Sequence, residues 1–169
     1  FPINTQPQVI SKLRISSLPD RLNSAPTMVA DSATLTQAAS LLKSSSKVAF
    51  KLGGGARRFG SGITELAEKV GAAIVLSPGA SGVLPDQHPQ NMHVGGSKGS
   101  ISGNFAMTEA TTLVVIGSRA VCQSDCSGIG YPNVTQVVNI NADLIDAHHY
   151  NQTIALCGDI GAVVGQLNQ

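Results

Sequence analysis

The sequence contains little charge, few aromatic residues and little cysteine. Only 12% of its 169 residues are charged, 4% are aromatic and none is tryptophan. The net charge is +1, and apart from the adjacent pair Arg57–Arg58 the basic residues are scattered, so the clustered basic surface that nucleic acids require is absent. No apolar stretch approaches the roughly 18 residues of a transmembrane helix. We therefore expect neither a nucleic-acid partner nor a membrane span.

Cysteine usage bears on the cellular setting. Three cysteines, an odd number, do not make a disulfide framework. Cys122 and Cys126 are four positions apart and lack the tighter pairing typical of zinc ligands, so no metal site is predicted. The chain begins at Phe1 without an initiator methionine or the basic and apolar regions of a signal peptide. These features favour a reducing, cytoplasmic setting and a chain that is a piece of a longer protein.

Composition divides the chain into two segments. Residues 1–30 contain four prolines and no sustained hydrophobic periodicity, which predicts a linker or wrapping arm. Residues 31–169 alternate short apolar runs with amphipathic stretches, which predicts a single α/β domain.

The order of elements in residues 31–169 predicts the fold class. Five apolar runs read as strands, and a sixth is expected near Val83 or Val94; the five are Lys47–Leu52, Ala72–Leu76, Leu113–Ile116, Gln136–Ile140 and Thr153–Cys157. Four helices are predicted: one from Asp31 or Ser32 to the serines 44–46, Ser61–Val70 closed by Gly71, Ser102–Ala110, and one from Gly158 or Asp159 to Leu167. Alternation of this kind predicts a doubly wound, mainly parallel, Rossmann-like sheet of five or six strands with helices on both faces.

Glycines follow the first predicted strand, where such sheets bind ligands beyond their carboxyl ends. Gly53, Gly54 and Gly55 allow the backbone to approach a phosphate, and the helix predicted after them offers free N–H groups and the positive end of its dipole. The G-x-G-x-x-G dinucleotide pattern is not met, because Arg58 stands at the third glycine position, and no Gly-Lys-Ser/Thr completes a P-loop. The sequence leaves two interpretations of these glycines open: a site for a nucleotide diphosphate, or a tight turn that only packs a helix on a strand.

The ends of the later strands carry the other candidate binding residues. They are Gly96, Ser97, Lys98 and Gly99 in a glycine-rich loop, Gly117 and Arg119 after the fourth strand, Asn141 and Asp143 after the next, and Asp159. The first group also fits a flexible surface loop, Arg119 a solvated loop residue, and Asp159 a helix N-cap. No G-x-S-x-G elbow, carboxylate pair or Cys–His pair suggests catalysis.

The order of these motifs resembles the central domain of thiamine-diphosphate-dependent enzymes of the acetolactate synthase and pyruvate oxidase group. The resemblance extends from about Asp31 to Leu167 and rests on Gly53–Ala56, Thr64–Glu68 with Gly71, His88-Pro89, Gly96–Gly99 with Asn104, Leu113–Arg119, Asn139–Asp143 and Gly158-Asp159. The stretch Val138–His148 is also similar to the trihydroxycyclohexanedione hydrolase branch.

The resemblance implies a parent enzyme of three domains that forms a homo-oligomer and cleaves or joins a bond beside a carbonyl, or hydrolyses a ring dione. Thiamine diphosphate and Mg²⁺ would be held by a pyrimidine-binding and a diphosphate-binding domain, and this domain alone would be an inactive scaffold. In flavin-dependent members the groove lined by the candidate residues holds FAD, and in others ADP or nothing. Ala120-Val121-Cys122 and Asn139-Ile140-Asn141 depart from the flavin pattern.

Two readings from other classes remain open on the sequence. One is a free-standing nucleotide- or flavin-binding module, similar to an electron-transfer flavoprotein or a sirtuin, although the paired C-x₂-C zinc module of sirtuins is missing. The other is a purely structural domain that binds no ligand.

Overall fold

The computed structural model describes residues 3–9 and 27–169. Residues 3–7 form turns, and residues 27–30 are without regular structure beside the last strand of the sheet. There the carbonyl of Met28 accepts a hydrogen bond of 2.7 Å from the N–H of Asp159. The rest of the predicted arm, residues 1–2 and 10–26, lies outside the described residues.

Six parallel strands form one sheet in the order β3-β2-β1-β4-β5-β6. They are β1 (Val48–Leu52), β2 (Ala73–Leu76), β3 (Asn91–Val94), β4 (Thr112–Ile116), β5 (Gln136–Asn141) and β6 (Thr153–Cys157). The predicted doubly wound α/β sheet is confirmed, and the sixth strand ends at Val94 rather than lying near Val83. Every residue of β1 and β4 is buried, as expected for central strands covered on both faces.

Helices cover both faces of this sheet. They are α1 (Ser32–Ser44), α2 (Gly60–Val70), α3 (Ile101–Glu109), the single turn α4 (Leu144–Ala147) and α5 (Ile160–Leu167). The predicted caps are present: Asp31 accepts from the N–H of Thr34 at 3.0 Å, and Gly71 ends α2 at a φ of 65°. None of the helices in the described residues is long and apolar enough to cross a membrane.

The two faces of the sheet are packed unequally. Phe50, Leu52 and Ile116 point toward α1, α2 and α5 in the larger core, whereas Val75 packs against Met107 of α3 on the other face. The alternation of strand and α-helix is interrupted between β2 and β3 and between β4 and β5, where the sequence predicts no helix either. Residues 117–135 make the β4–β5 connection with only the short 3₁₀ turn Cys126–Gly128, so this part of the second face is covered by loop.

The strand order fixes where the chain leaves the sheet. Starting from the central pair β1 and β4, the chain continues to β2 on one side and to β5 on the other. Loops that diverge in this way leave a crevice at the carboxyl ends of the two central strands, which is where doubly wound sheets bind ligands.

Candidate functional site

A cleft of about 790 Å³ opens at the carboxyl edge of the sheet, at the switch point between β1 and β4. This volume falls within the usual range of small-molecule sites. The turns that follow β1, β2, β3, β4 and β5 all contribute to it. Ten of the twelve residues predicted from the sequence line it: Gly53, Gly54, Gly55, Ser97, Lys98, Gly99, Gly117, Arg119, Asn141 and Asp143.

The floor of the cleft is a close contact between the turns after β1 and β4. The N–H of Gly55 donates to the carbonyl of Gly117 at 3.0 Å, and the N–H of Gly53 donates to that of Ile116 at 2.9 Å. A Cβ on Gly53 would lie 2.2 Å from the Gly117 oxygen, and Gly117 itself has a φ of 58°. The contact between the turns therefore requires a glycine at position 53, where a side chain has no room, and leaves only a tight fit at Gly55, where an added Cβ would lie 3.0 Å from Gly117.

Gly54 differs from its two neighbours. It is exposed, and the nearest atom to an added Cβ would be the carbonyl oxygen of Gly79 at 3.8 Å, an ordinary contact. Gly54 also begins the 3₁₀ turn Gly54–Arg58, which has no side-chain cap. The N–H of Gly55 is used by Gly117 and that of Ala56 by the carbonyl of Gly53 at 3.1 Å, so among the first three N–H groups of this turn only that of Gly54 has no hydrogen-bond partner in the described part of the chain and is available to an anion. Arg57 and Arg58 are exposed and do not line the cleft.

One wall of the cleft consists of two loops bonded to each other. The N–H of Ser97, in the loop after β3, donates to the carbonyl of Gln123 at 2.9 Å, and the Ser97 hydroxyl donates to the same oxygen at 3.3 Å. Gly96 does not line the cleft. It is buried at a φ of 125°, and a Cβ there would lie 2.3 Å from the Gln123 oxygen. The sequence predicts Gly96 as a binding residue of this loop, whereas the structure places it behind the wall, packed against Gln123.

Three of the predicted polar residues hold the backbone. The Asn141 amide donates to the carbonyl of Ser118 at 2.8 Å and so ties the turn after β5 to the turn after β4. Asp143 accepts from the N–H groups of Ile145 and Asp146 and caps α4. Asp159 accepts from the N–H of Ala162 at 2.8 Å, caps α5 and does not line the cleft, which agrees with its reading as an N-cap.

The remaining charge in the cleft is mixed. Lys98 and Arg119 are exposed cations in its lining, and Asp143 and Asp146 are acids on the side of β5. Across the described residues, no three His, Cys, Asp or Glu side chains gather as a group that could hold a metal ion. The lining therefore offers an anion the N–H of Gly54 and two cations, and it presents no cluster of acid, base and nucleophile.

Part of the lining was not predicted from the sequence. Ser77, Pro78 and Gly79 follow β2 directly, and a Ser-Pro-Gly triplet after an apolar run indicates a turn at the end of a strand, which could have predicted these lining residues. Val121, Gln123 and Ser124 line the cleft from the β4–β5 connection, where no motif marks them. Ile160 contributes from the first turn of α5.

A doubly wound parallel sheet with a glycine-floored cleft at its switch point defines a Rossmann-like α/β domain. Comparison with known proteins gives the family. A family model described as the central domain of thiamine pyrophosphate enzymes matches residues 35–167. The chain belongs to this family.

Relatives and a solved structure agree with that assignment. The chain is 28% identical over 173 residues to the acetolactate synthase isozyme 1 large subunit of Escherichia coli, covering 99% of this chain and 28% of the relative. It is 26% identical over 141 residues to the 3D-(3,5/4)-trihydroxycyclohexane-1,2-dione hydrolase of Lacticaseibacillus casei, covering 82% of this chain and 22% of the relative. A thiamin diphosphate-dependent enzyme from Mycobacterium smegmatis superposes on 90% of this chain and 30% of its own, with a TM-score of 0.68 at 22% identity, and shows the same fold. The chain thus spans between a fifth and a third of the length of these proteins.

Proposed function

We propose that this chain is the non-catalytic central domain of a larger thiamine-diphosphate-dependent enzyme and that its cleft binds an adenosine diphosphate group, as ADP or as part of FAD. In the parent protein it would hold the pyrimidine-binding and diphosphate-binding domains in place within a cytoplasmic homo-oligomer. The parent's reaction would be cleavage or formation of a bond beside a carbonyl, or hydrolysis of a ring dione.

The position and floor of the cleft carry the nucleotide proposal. The floor is made of backbone at Gly53, Gly55 and Gly117, and Gly54 leaves open space above the uncapped start of a 3₁₀ turn. A diphosphate needs this close approach to N–H groups. Lys98 and Arg119 add positive charge along the lining.

The cleft is a poor match to thiamine diphosphate with Mg²⁺. A magnesium ion bound with a diphosphate needs one or two carboxylates; the lining has Asp143, which already caps α4, and Asp146, and no metal-binding group of three acidic, histidine or cysteine side chains occurs in the part of the chain that the structure describes. We therefore assign that cofactor to the other domains of the parent enzyme. There it supplies the electron sink for chemistry beside a carbonyl, while this chain positions those domains.

A binding experiment on the 169-residue chain tests the proposal. ADP, FAD, NAD and thiamine diphosphate are titrated while the unfolding midpoint is followed, since a ligand of the folded state at 100 times its Kd adds about 2.7 kcal/mol of stability. We expect ADP and FAD to raise the midpoint. Gly54→Ala places a methyl group on the open floor without a clash in the fold, and we expect it to weaken ADP binding at least tenfold.

The matched control is Gly165→Ala, which adds the same methyl group on α5 with no atom within 4 Å. It should bind ADP as the parent sequence does. If neither ADP nor FAD binds, the proposal that the cleft binds a nucleotide is refuted, and the remaining interpretation is a scaffold domain that binds no ligand. A midpoint shift with thiamine diphosphate alone would contradict the assignment of that cofactor to other domains.

A further inference from the structure

Lys51 is a buried cation on the central strand of the sheet. Its side chain has no solvent exposure, and Asp125 at 3% is the one other charged residue that is fully buried among those the structure describes. On β1 it lies between Phe50 and Leu52, which point into the larger core, so it points to the face covered by α3. Burying an ammonium group is costly unless other groups compensate for its lost hydration, and its partners lie directly behind the cleft.

The first partner of Lys51 is the loop after β3. The Lys51 Nζ donates to the carbonyl of Gly95 at 3.1 Å. Gly95 lines the cleft and opens the loop that contains Ser97, Lys98 and Gly99. Lys51 therefore holds the start of this loop from inside the protein.

The second group that acts on Lys51 is the carboxylate of Asp125, which forms no ion pair or hydrogen bond with it but whose negative charge favours the charged form of Lys51 from a longer distance. Asp125 accepts hydrogen bonds from the hydroxyl groups of Tyr150 and Ser124. It ends the segment 119–125, which we call the dividing wall. Arg119, Val121, Gln123 and Ser124 of this segment line the cleft, while Ala120, Cys122 and Asp125 line a second cavity of about 560 Å³.

The dividing wall has a cavity on each side, so its hydrogen bonds and the charge of Asp125 contribute to its position. Ala120 in the dividing wall has a φ of 49°, which is unfavourable for a residue with a side chain. The Ser97–Gln123 hydrogen bonds join the wall to the loop after β3. Lys51 lies beneath the two segments and attracts each of them. It attracts the loop after β3 through the Gly95 carbonyl and the dividing wall through the Asp125 carboxylate.

We propose that Lys51 is a positioning residue for ligand binding: its ammonium group fixes the loop 95–99 and the dividing wall as one side of the cleft. This inference rests on the proposed nucleotide cleft. It requires the charge of Lys51 and not only its bulk, because a neutral amine attracts neither oxygen as strongly.

The titration of Lys51 makes the role testable. Burial lowers the pKa of Lys51 from 10.5 to about 8, against the opposing influence of Asp125 and Cys126 in the β4–β5 connection. Tyr131 and Tyr150, which pack around Asp125, have pKa values raised by burial and stay neutral in this range. From α3, Met107 faces Gly95 and carries no charge. Raising the pH through 8 should therefore discharge Lys51 and release the wall.

The first readout is the Kd for ADP between pH 6.5 and 9.5. We expect it to rise about tenfold with a midpoint near pH 8, the effect of losing one hydrogen bond to a charged group. Lys51→Met should bind weakly at every pH, and Asp125→Asn should move the midpoint below 8, because it removes a charge that raises the pKa of Lys51. The matched control is Lys47→Met, which removes an exposed lysine paired with Glu109 and should keep the parental profile.

The second readout needs no ligand. Hydrogen exchange of the Ser97 amide reports the bond to Gln123, and after correction for intrinsic rates its protection should fall about tenfold above pH 8 and in Lys51→Met. A chain that binds no ADP but shows this loss refutes the proposed function and keeps the positioning role. The positioning role of Lys51 would be overturned if the protection of the Ser97 amide did not change and the Kd for ADP did not depend on pH. It would also be overturned if the Kd of Lys47→Met did not depend on pH, because the pH dependence would then come from Lys47. If Lys51→Met does not fold, the parental pH profile and Asp125→Asn decide the same question.

Discussion

The stability of the protein should rise between pH 7.5 and 9.5, where most proteins lose stability. The sign follows from Lys51, whose pKa is about 8 in the folded state and 10.5 as the model value of a free side chain. Between these values the unfolded chain binds more protons than the folded one, so the free energy of unfolding increases with pH. Below pH 8 the lysine is charged in both states and its burial is a constant cost.

Two tyrosines set the upper limit of this rise. Burial raises the pKa values of Tyr131 and Tyr150 above 10.0, and for Tyr150 the neighbouring Asp125 adds to the effect. Above pH 10 the unfolded chain therefore loses tyrosine protons that the folded chain keeps, and stability falls. The maximum is expected between pH 9 and 10, roughly where the two effects cross.

The magnitude can be worked from the lysine alone. At roughly 1.4 kcal/mol for each pH unit, integration from pH 7.5 to 9.5 gives a gain of about 1–2 kcal/mol. Urea unfolding followed by far-UV circular dichroism measures it, since the chain has no tryptophan to report by fluorescence. Lys47→Met removes one exposed lysine and should keep the rise, whereas Lys51→Met should lose it. A flat or falling profile in the parent chain, or an equal rise in both variants, would refute the reasoning.

Two further predictions concern backbone positions at the carboxyl edge. Gly53→Ala forces a Cβ to within 2.2 Å of the Gly117 oxygen and should cost about 1–3 kcal/mol of unfolding free energy, whereas Gly165→Ala on α5 should add about 0.5–1 kcal/mol; equal effects in urea unfolding would contradict the contact between the two turns. Asp159→Ala removes the N-cap of α5 and should cost about 1 kcal/mol while the Kd for ADP stays unchanged, so a Kd that rises with this variant would make Asp159 a ligand residue after all.

The sequence was informative about the sheet because its signals are local. Five strands were predicted as continuous apolar runs, and the all-parallel sheet is what such runs require. β3 (Asn91–Val94) was harder to place because it is a short edge strand in which Asn91 and His93 interrupt the apolar pattern. The strand order itself depends on long-range packing and has no local signal.

The candidate site was predicted well for glycine and less well for polar residues. A glycine cluster after a strand implies a close approach of backbone, and Gly53, Gly55 and Gly117 do approach each other. A carboxylate after a strand can equally cap the next helix, and Asp143 and Asp159 both do so. A ligand-binding carboxylate and a helix-capping carboxylate are the same residue type at the same position in the sequence, so only the geometry of the folded chain distinguishes the two roles.

Lys51 and Asp125 show that contacts between residues far apart in the sequence cannot be predicted from residue spacing. A lysine inside the run Val48–Leu52 is a visible break in an apolar strand, yet its partners Gly95 and Asp125 are 44 and 74 positions away. No spacing rule connects them, because the contact depends on how β3 and the β4–β5 connection return to the same face of the sheet. The break was a signal that something polar had to meet this strand, without saying what.

A cleft built in this way separates phosphate binding from selectivity. Its floor is backbone held by the contact of Gly53 and Gly55 with Gly117, so in the proposed nucleotide cleft the floor offers no side chain that could distinguish one nucleotide from another. Selection among nucleotides would then come from the sides of the cleft, and the side formed by the loop 95–99 and the dividing wall is the one that we infer Lys51 to position. If the nucleotide proposal holds, substitutions in these loops should change which nucleotide the chain prefers, whereas the sheet and the floor stay intact. Substitutions in the glycine turns should instead weaken the binding of ADP and FAD alike, because both would lie on the same backbone floor.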